Sequence, residues 1–153
     1  MIVVSDTTAI TTLLKAGEER LLPELFGTIA IPQAVWDELH AFHSGLPDFV
    51  KLGPVAATSQ RLPGTETLGR GEAETIKLAK EIRADLLLTD DRKARLAAER
   101  LGIPCAGLLA LLVQAKQKGR ISSMRSFIDV LETKGGLYLS DAVKGECLKS
   151  AGE

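Results

Sequence analysis

The sequence predicts an α/β protein with three layers, in which helices cover both faces of a central parallel sheet. Short, unbroken apolar runs precede segments with helical periodicity, a pattern typical of strand–helix–strand crossovers. The clearest predicted strands are Ile2–Val4, Ala84–Leu88 and Ile103–Ala106. A fourth, Thr28–Ile31, ends at Pro32, which suits the first turn of a helix because proline has no N–H to leave unpaired there.

Eight segments have the periodicity of helices. They are Thr7–Ala16, Glu18–Leu25, Gln33–Phe42, Gly71–Arg83, Arg92–Leu101, Leu108–Lys118, Ser123–Lys134 and Asp141–Lys149. Between His43 and Arg70 the composition shifts to Gly, Pro, Ser and Thr, and a structureless loop of that length is unusual inside a compact domain. A further short strand is therefore expected there, around Phe49–Leu52 or Val55–Thr58.

Length and composition favour one folded unit. The chain has 153 residues, of which 45% are hydrophobic and 25% charged, as in an ordinary globular domain. Residues 1–120 are expected to form the core of this domain and residues 121–153 a helical C-terminal extension of it. Gly135–Gly136 in the extension is interpreted as a flexible joint.

Charge and cysteine content exclude several classes of protein. The 19 basic and 20 acidic side chains nearly cancel, so any nucleic-acid binding must come from a local patch. Cys105 and Cys147 form no C-x-x-C motif and lack the spaced histidines of a zinc site, which indicates reduced thiols. The N-terminus has no signal-peptide pattern and no apolar run is long enough to span a membrane, so a cytoplasmic protein without a membrane partner is expected.

Acidic side chains follow two of the predicted strands. Asp6 comes after the first strand, and Asp90 and Asp91 come after Leu86–Leu88. Ligands of open parallel sheets bind at the carboxyl ends of the strands, which makes these residues candidate ligands. Aspartate is also a favoured helix N-cap, so each of them taken alone fits either role.

Two glutamates lie at the edges of predicted buried stripes. Glu38 borders the stripe formed by Val35, Leu39 and Phe42, where a carboxylate needs a partner or a metal ion. The neighbouring Asp37 falls on the opposite side of the helix.

Glu72 projects between Ile76 and Ala79, whereas Glu74 shares the predicted solvent face with Lys77. An acid in the first turn of a helix also complements the helix dipole, which leaves Glu72 a second interpretation. Clustered carboxylates without cysteine or a suitably placed histidine favour Mg²⁺ or Mn²⁺ over zinc or iron.

Taken together in order and spacing, four segments resemble a PIN domain, most closely a prokaryotic branch of unknown function related to VapC-type toxins. These segments are V-V-S-D-T-T from Val3, I-P-x-A-V-x-D-E-L from Ile31, G-x-G-E-A-E-T-I from Gly69 and A-D-L-L-L-T-D-D from Ala84. In the tail, G-R-I-x-S-M-R from Gly119 and L-S-D from Leu139 extend the likeness over nearly the whole chain. The resemblance implies a PIN-like α/β/α fold and an acidic pocket that binds Mg²⁺ or Mn²⁺ to cut RNA.

The resemblance also implies the residues of the site. The acids that match the catalytic and metal-binding positions of the family are Asp6, Glu38, Glu72 and Asp90, with Asp91 as a further metal-binding helper. The hydroxyl residues expected to support them are Thr7, Thr8 and Thr89. The toxin branch usually has aspartate at the third position, so the longer Glu72 leaves open whether it contacts metal directly or through water.

The predicted function is a ribonuclease that hydrolyses RNA phosphodiester bonds with a divalent metal ion. Arg92, Lys93 and Arg95, which follow the acidic pair, are expected to bind the RNA. Lys116, Lys118 and Arg120 have a structural explanation instead, because basic residues in the last turn of a helix, before Gly119, complement the helix dipole. The resemblance further implies a homodimer and the toxin role of a toxin–antitoxin pair, with an antitoxin protein as partner.

Two alternatives remain at the level of sequence. A phosphatase of the aspartyl-phosphate kind typically has a second aspartate two residues after the nucleophile, where this chain has Thr8. A catalytically weak or inactive PIN-like module would act by binding a protein. Trp36, Phe42 and Phe49 could supply its apolar contact surface, but packing in the core is the predicted place for such residues.

Overall fold

The computed structural model describes residues 1–53 and 61–153, and these ranges contain five strands and eight helices. The strands are β1 Val3–Ser5, β2 Ile29–Ile31, β3 Val50–Leu52, β4 Leu86–Leu88 and β5 Cys105–Ala106. The helices are α1 Thr7–Ala16, α2 Leu21–Phe26, α3 Gln33–Phe42, α4 Arg70–Glu81, α5 Arg92–Arg100, α6 Leu108–Gln117, α7 Met124–Thr133 and α8 Asp141–Ser150. Strand β3 confirms the expectation at Phe49–Leu52, while the alternative at Val55–Thr58 lies outside the described residues.

All five strands are parallel, in the order β3-β2-β1-β4-β5. From β1 the chain builds the sheet outward through β2 to β3, and then returns to place β4 on the other side of β1. In the register of these two central strands, Ser5 lies opposite Leu88. Successive strands are therefore added on one side of β1 first and on its other side from β4 onward. In open parallel sheets, a crevice for ligands forms at such a switch point, which here lies between β1 and β4.

Side chains of the central strands alternate between two separate apolar cores. Val3 of β1 and Leu88 of β4 belong to the larger core, whereas Val4 and Leu87 belong to the smaller one. Successive residues of a strand point to opposite faces of the sheet, so the two cores lie on its two faces.

The larger core is covered by α1, α2, α3, α6, α7 and α8, and the smaller one by α4 and α5. The protein is thus the three-layer α/β/α fold with a central parallel sheet that the sequence predicts.

Backbone conformation explains where two helices depart from their predicted bounds. Gly17 ends α1 in the left-handed region at φ 72°, and the turn that follows delays α2 until Leu21 instead of Glu18. Arg83 has φ 54°, so α4 ends before it, at Glu81.

The C-terminal helices pack on the larger core. Helix α7 contacts α1 and α6, and α8 contacts α6. The carboxylate of Glu153 accepts hydrogen bonds from the N–H groups of Met124 and Arg125, at the start of α7, and lies 3.2 Å from Lys116 Nζ. The end of the chain thereby satisfies backbone donors that the first turn of α7 leaves free.

Gly135 is a close-packing position in the structure. It is buried, and a Cβ added to it would lie 2.7 Å from the carbonyl oxygen of Leu131 and 2.9 Å from that of Thr12. From the sequence alone, Gly135–Gly136 is interpreted as a flexible joint. The structure shows instead that the absence of a side chain at Gly135 lets the end of α7 approach α1.

Replacing Gly135 with alanine is expected to destabilise the protein by about 1–3 kcal/mol, because backbone atoms of two helices would have to separate. Urea unfolding followed by circular dichroism measures the change. Gly145→Ala on α8 is the matched control, since a Cβ there meets no heavy atom within 4 Å. Equal stability of the two variants would contradict this explanation.

Phe42 lies outside the core, contrary to the sequence prediction. Its side chain is 79% exposed, whereas Trp36 and Phe49 are half-buried and pack against the larger core. Phe42 is the last residue of α3, and it lies beyond Leu39, the last buried residue of this helix.

In the part of the chain that is described, every helix is too short or too polar to cross a membrane.

Candidate metal centre

The register of the two central strands brings distant acids to one place. Asp6 directly follows β1, and its N–H donates a 3.0 Å hydrogen bond to the carbonyl of Leu88 at the end of β4. Thr89 and Asp90 follow Leu88, so they leave the sheet beside Asp6. The two predicted aspartates therefore lie on either side of the switch point.

Asp6 is the most buried acid of this group, with 8% of its surface exposed. Its Oδ1 accepts a 3.2 Å hydrogen bond from the N–H of Thr8, which caps the start of α1. Burial, together with the negative charges of Asp90 and Glu72, raises the pKa of Asp6 to about 6, although hydrogen bonds from Thr89 and Thr8 lower it in part. An ionised Asp6 is thus unfavourable here unless positive charge comes close to it.

Glu72 lies in the first turn of α4 and is half-buried. Its Oε2 would be 2.6 Å from a Cβ on Gly69, so the carboxylate folds back beside the residue that precedes the helix. Its charge acts on Asp6, although 66 residues separate them in sequence. The structure thus places Glu72, Asp90 and Asp6 in one electrostatic group.

Glu38 is linked to the residues around Asp6 by a hydrogen bond from a hydroxyl group. Thr7 Oγ1, on the residue next to Asp6, donates a hydrogen bond to Glu38 Oε2. The other oxygen, Oε1, would lie 2.9 Å from a Cβ on Gly71, at the start of α4. The sequence predicted that Glu38 needs a partner, and the partner is Thr7. The side chain is nevertheless exposed, because it lies on the rim of the buried stripe of α3.

Asp90 is exposed and reaches across to another helix. Its Oδ1 accepts a 3.1 Å hydrogen bond from the N–H of Leu108, the first residue of α6. A Cβ on Gly107 would overlap this oxygen and would lie 2.6 Å from Arg95 Nη2. Because Gly107 has no side chain, the side chains of Asp90 and Arg95 can both lie against its backbone.

Asp91 has a clear structural role. Its Oδ1 accepts a 2.8 Å hydrogen bond from the N–H of Ala94 and caps α5. Thr89 is buried, and its hydroxyl accepts a hydrogen bond from the N–H of Asp91 at 3.2 Å. Thr8 contributes its backbone N–H to Asp6 while its side chain is exposed. The predicted role of Asp91 as a metal-binding helper stays a prediction.

The chemistry of these oxygens fits a hard divalent cation. Burial and the negative charges of Asp90 and Glu72 raise the pKa of Asp6, and a bound cation would favour its ionised form. Within residues 1–53 and 61–153, no three His, Cys, Asp or Glu side chains are arranged so that they could hold a metal ion in their present conformations. Asp90 and Glu38 are engaged instead with the Leu108 N–H and the Thr7 hydroxyl.

The predicted RNA-binding residues differ in their surroundings. Arg92 and Lys93 are exposed, whereas Arg95 is half-buried and donates from Nη2 to the carbonyl of Thr89 at 3.3 Å. A hollow of about 460 Å³ adjoins Asp90. Its lining residues are Asp90, Arg92, Arg95, Leu96 and Glu99. Lys93 is not among them.

Sequence reasoning misjudged Glu74, which was expected to be an ordinary solvent-facing acid. It is half-buried, accepts a 3.1 Å hydrogen bond from the N–H of Ala34 at the start of α3, and lies 2.7 Å from Arg70 Nε. Helix α4 packs against α3, which brings a side chain from the solvent side of one helix to the first turn of the other. Lys77, assigned to the same face, is also buried.

The glycines of the site were missed as well. Gly69, Gly71 and Gly107 leave room for the carboxylates of Glu72, Glu38 and Asp90, respectively. A sequence signal existed, because each glycine stands at or beside the start of a helix, where close approach to the backbone is common.

Fold and site together define a class of protein, an α/β/α domain with acidic side chains at the switch point of a parallel sheet. A family model described as a PIN domain matches residues 2–153, and the chain belongs to the PIN-domain family. PIN domains are typically nucleases and generally use divalent metal ions.

A solved structure supports the same fold. The chain is similar to a PilT N-terminus domain protein from the hyperthermophilic archaeon Sulfolobus solfataricus, with a TM-score of 0.54 and 22% sequence identity. The alignment covers 75% of this chain and 93% of the archaeal one. A comparison with curated proteins gives no match.

Proposed function

We propose that this protein is a divalent-metal-dependent ribonuclease that hydrolyses RNA phosphodiester bonds. The observation that supports it most directly is that Asp6 and Asp90 follow neighbouring strands at the switch point, where the Asp6 N–H donates to the carbonyl of Leu88. Burial and the charges of Asp90 and Glu72 raise the pKa of Asp6 to about 6. Capping of α1 explains the hydrogen bond that Asp6 accepts from Thr8. It does not explain why two further acids act on this buried carboxyl.

In this proposal Asp6 and Asp90 are the primary ligands of Mg²⁺ or Mn²⁺, and Glu72 and Glu38 bind a second ion or orient the attacking water. The bound cation would supply Lewis acidity and an activated water. Thr7 holds Glu38 through its hydroxyl, and Thr89 and the Thr8 N–H hold Asp6. The Leu108 N–H donates to Oδ1 of Asp90, so Oδ2 would bind the ion.

The biological setting belongs to the same proposal. It includes a homodimeric protein that is the toxin of a toxin–antitoxin pair, with an antitoxin as its partner. Co-expression with the product of the adjacent gene, followed by mass measurement of the purified complex, tests both assembly and partner.

Metal removal is expected to abolish cleavage of a mixed-sequence, single-stranded RNA. The protein treated with EDTA should leave the RNA intact, and Mn²⁺ or Mg²⁺ added in excess should restore cleavage. Cleavage that continues in EDTA would contradict the proposal, and so would intact RNA at every metal concentration.

Two neighbouring residues of α3 supply the matched variants for this assay. Glu38→Gln is expected to lower the cleavage rate about 100-fold, since it removes a carboxylate that orients or deprotonates water. Asp37→Asn changes an adjacent acid that lies 3.7 Å from Arg70 on the exposed side, and it should leave the rate within about 2-fold.

A further inference from the structure

One face of α5 lines the hollow beside Asp90. Arg92, Arg95, Leu96 and Glu99 follow the spacing i, i+3, i+4 and i+7, which puts them on a single stripe of the helix. The opposite stripe, with Ala94, Ala97 and Ala98, is buried in the smaller core. We call the hollow the α5 groove, formed by Asp90 and these four residues of the outer stripe.

Arg95 is not satisfied by the protein around it. Its Nη2 donates to the carbonyl of Thr89, but its Nε is buried and has no hydrogen-bond partner among the described residues. Leaving a buried charged donor unpaired is unfavourable, so a cationic group in this state calls for an acceptor. Within the described ranges, neither Arg92 nor Arg95 forms an ion pair with an acidic side chain.

Basic, apolar and acidic side chains follow one another in the groove along about 10 Å of α5. Nearest to Asp90, two guanidinium groups offer planar donors that match the oxygens of a phosphate. Leu96 comes next and is 49% exposed, which provides an apolar surface. Glu99 ends the groove with a negative charge that would repel a further phosphate.

We infer that the α5 groove binds one nucleotide of single-stranded RNA beside the scissile phosphate, with its phosphate on Arg95 and Arg92 and its nucleoside on Leu96. This inference rests on the proposed function, because Asp90 joins the groove to the metal centre. Glu99 limits the groove to a single nucleotide. Arg95 is a binding residue here, and Gly107 keeps space for its guanidinium beside Asp90.

Fluorescence anisotropy of a labelled, mixed-sequence single-stranded RNA tests the groove. All proteins are full chains with Asp6→Asn, in Mg²⁺, so that the RNA stays uncut. Arg95→Ala should weaken binding about 10-fold and reduce the slope of log Kd against log salt by about 0.7, the value for one lost phosphate contact on a single strand.

Three further variants separate the groove from general effects of charge. Arg100→Ala removes the same charge from the same helix outside the groove, and should change Kd by less than about 2-fold. Arg95→Lys should keep the salt slope but regain only part of the affinity, because the ammonium lacks the planar fork. Arg92 is exposed, so its replacement should not affect folding. Arg92→Ala should therefore weaken RNA binding, as Arg95→Ala does.

Equal affinity of the Arg95→Ala and Arg100→Ala proteins would overturn the inference and leave the ribonuclease proposal standing. If the parent protein binds no RNA and the wild-type chain cuts none in Mg²⁺ or Mn²⁺, the proposed function fails and the groove assignment fails with it. The cleavage assay and the binding assay thus report the two failures separately.

Discussion

Asp6→Asn is expected to abolish most RNA cleavage and, at the same time, to make the metal-free protein more stable. The loss of rate should be roughly 1000-fold, equivalent to about 4 kcal/mol of transition-state stabilisation, because the substitution removes the most buried ligand of the proposed metal centre. The geometry should survive, since the asparagine oxygen can still accept the N–H of Thr8. Initial rates on a labelled RNA measure the first effect.

The gain in stability follows from the raised pKa of Asp6. A shift from 3.8 to about 6 means that ionising this carboxyl at pH 7 lowers the unfolding free energy of the metal-free protein by about 3 kcal/mol at most. Asparagine carries no charge, so we expect urea unfolding in EDTA at pH 7 to show a gain of about 1–3 kcal/mol.

The pH dependence has a definite sign. Because folding raises the pKa of Asp6, its protonated form favours the folded state, and this contribution is complete below pH 3.8 and lost as pH rises through about 6. The difference in stability between Asp6→Asn and wild type should therefore grow from about pH 4 to pH 7.

Added Mg²⁺ or Mn²⁺ should stabilise the wild type more than the variant, since only the wild type retains the full ligand set. The control is Asp129→Asn, an exposed position on α7 that should change neither rate nor stability. An Asp6→Asn protein that cleaves RNA at the wild-type rate would refute the assignment of the metal centre.

Gly107→Ala is expected to lower RNA cleavage about 100-fold without unfolding the protein. The backbone there has φ −91° and ψ 177°, which alanine adopts freely, so the effect comes from contact alone. The new methyl group would displace Asp90 and would lie 2.6 Å from Arg95 Nη2, and misplacing catalytic groups by about 1 Å can lower a rate 100-fold.

Single-turnover cleavage and RNA anisotropy measure the two consequences of this substitution, one for each displaced side chain. Gly145→Ala is again the control, because a Cβ there meets nothing within 4 Å. Wild-type cleavage by the Gly107→Ala protein would show that neither Asp90 nor Arg95 depends on this close approach.

Local pattern predicted most of the secondary structure. Strand β3 was one of two alternatives suggested by the length of the segment after His43. The short apolar runs identify the other four strands within a few residues, because burial on both faces of a parallel sheet leaves a continuous apolar signature. The pattern of helical periodicity identifies the helices. Local pattern also placed Asp6 and Asp90 after strands. The bounds of α2 and α4 differ because single residues with positive φ, Gly17 and Arg83, end or delay helices in ways that periodicity does not record.

Side-chain partners were harder to predict. Helical projection located Glu38 at the rim of a buried stripe, but only the structure shows that Thr7 donates to it. Projection also put Phe42 in the core and Glu74 in solvent, and both predictions were wrong. A helical wheel describes one helix alone, whereas exposure depends on where the neighbouring helix ends and packs.

The sequence by itself determined the order of strands and helices, the two-sided burial of the sheet and the positions of the acids at the ends of strands. Only the tertiary structure decided that β4 lies next to β1, so that the charges of residues 72 and 90 act on residue 6 and Gly107 lies against Asp90. The physical reason is that periodicity reflects burial within a segment of about ten residues. The choice of a neighbouring strand, in contrast, depends on how whole crossovers pack, through contacts between residues far apart in the chain.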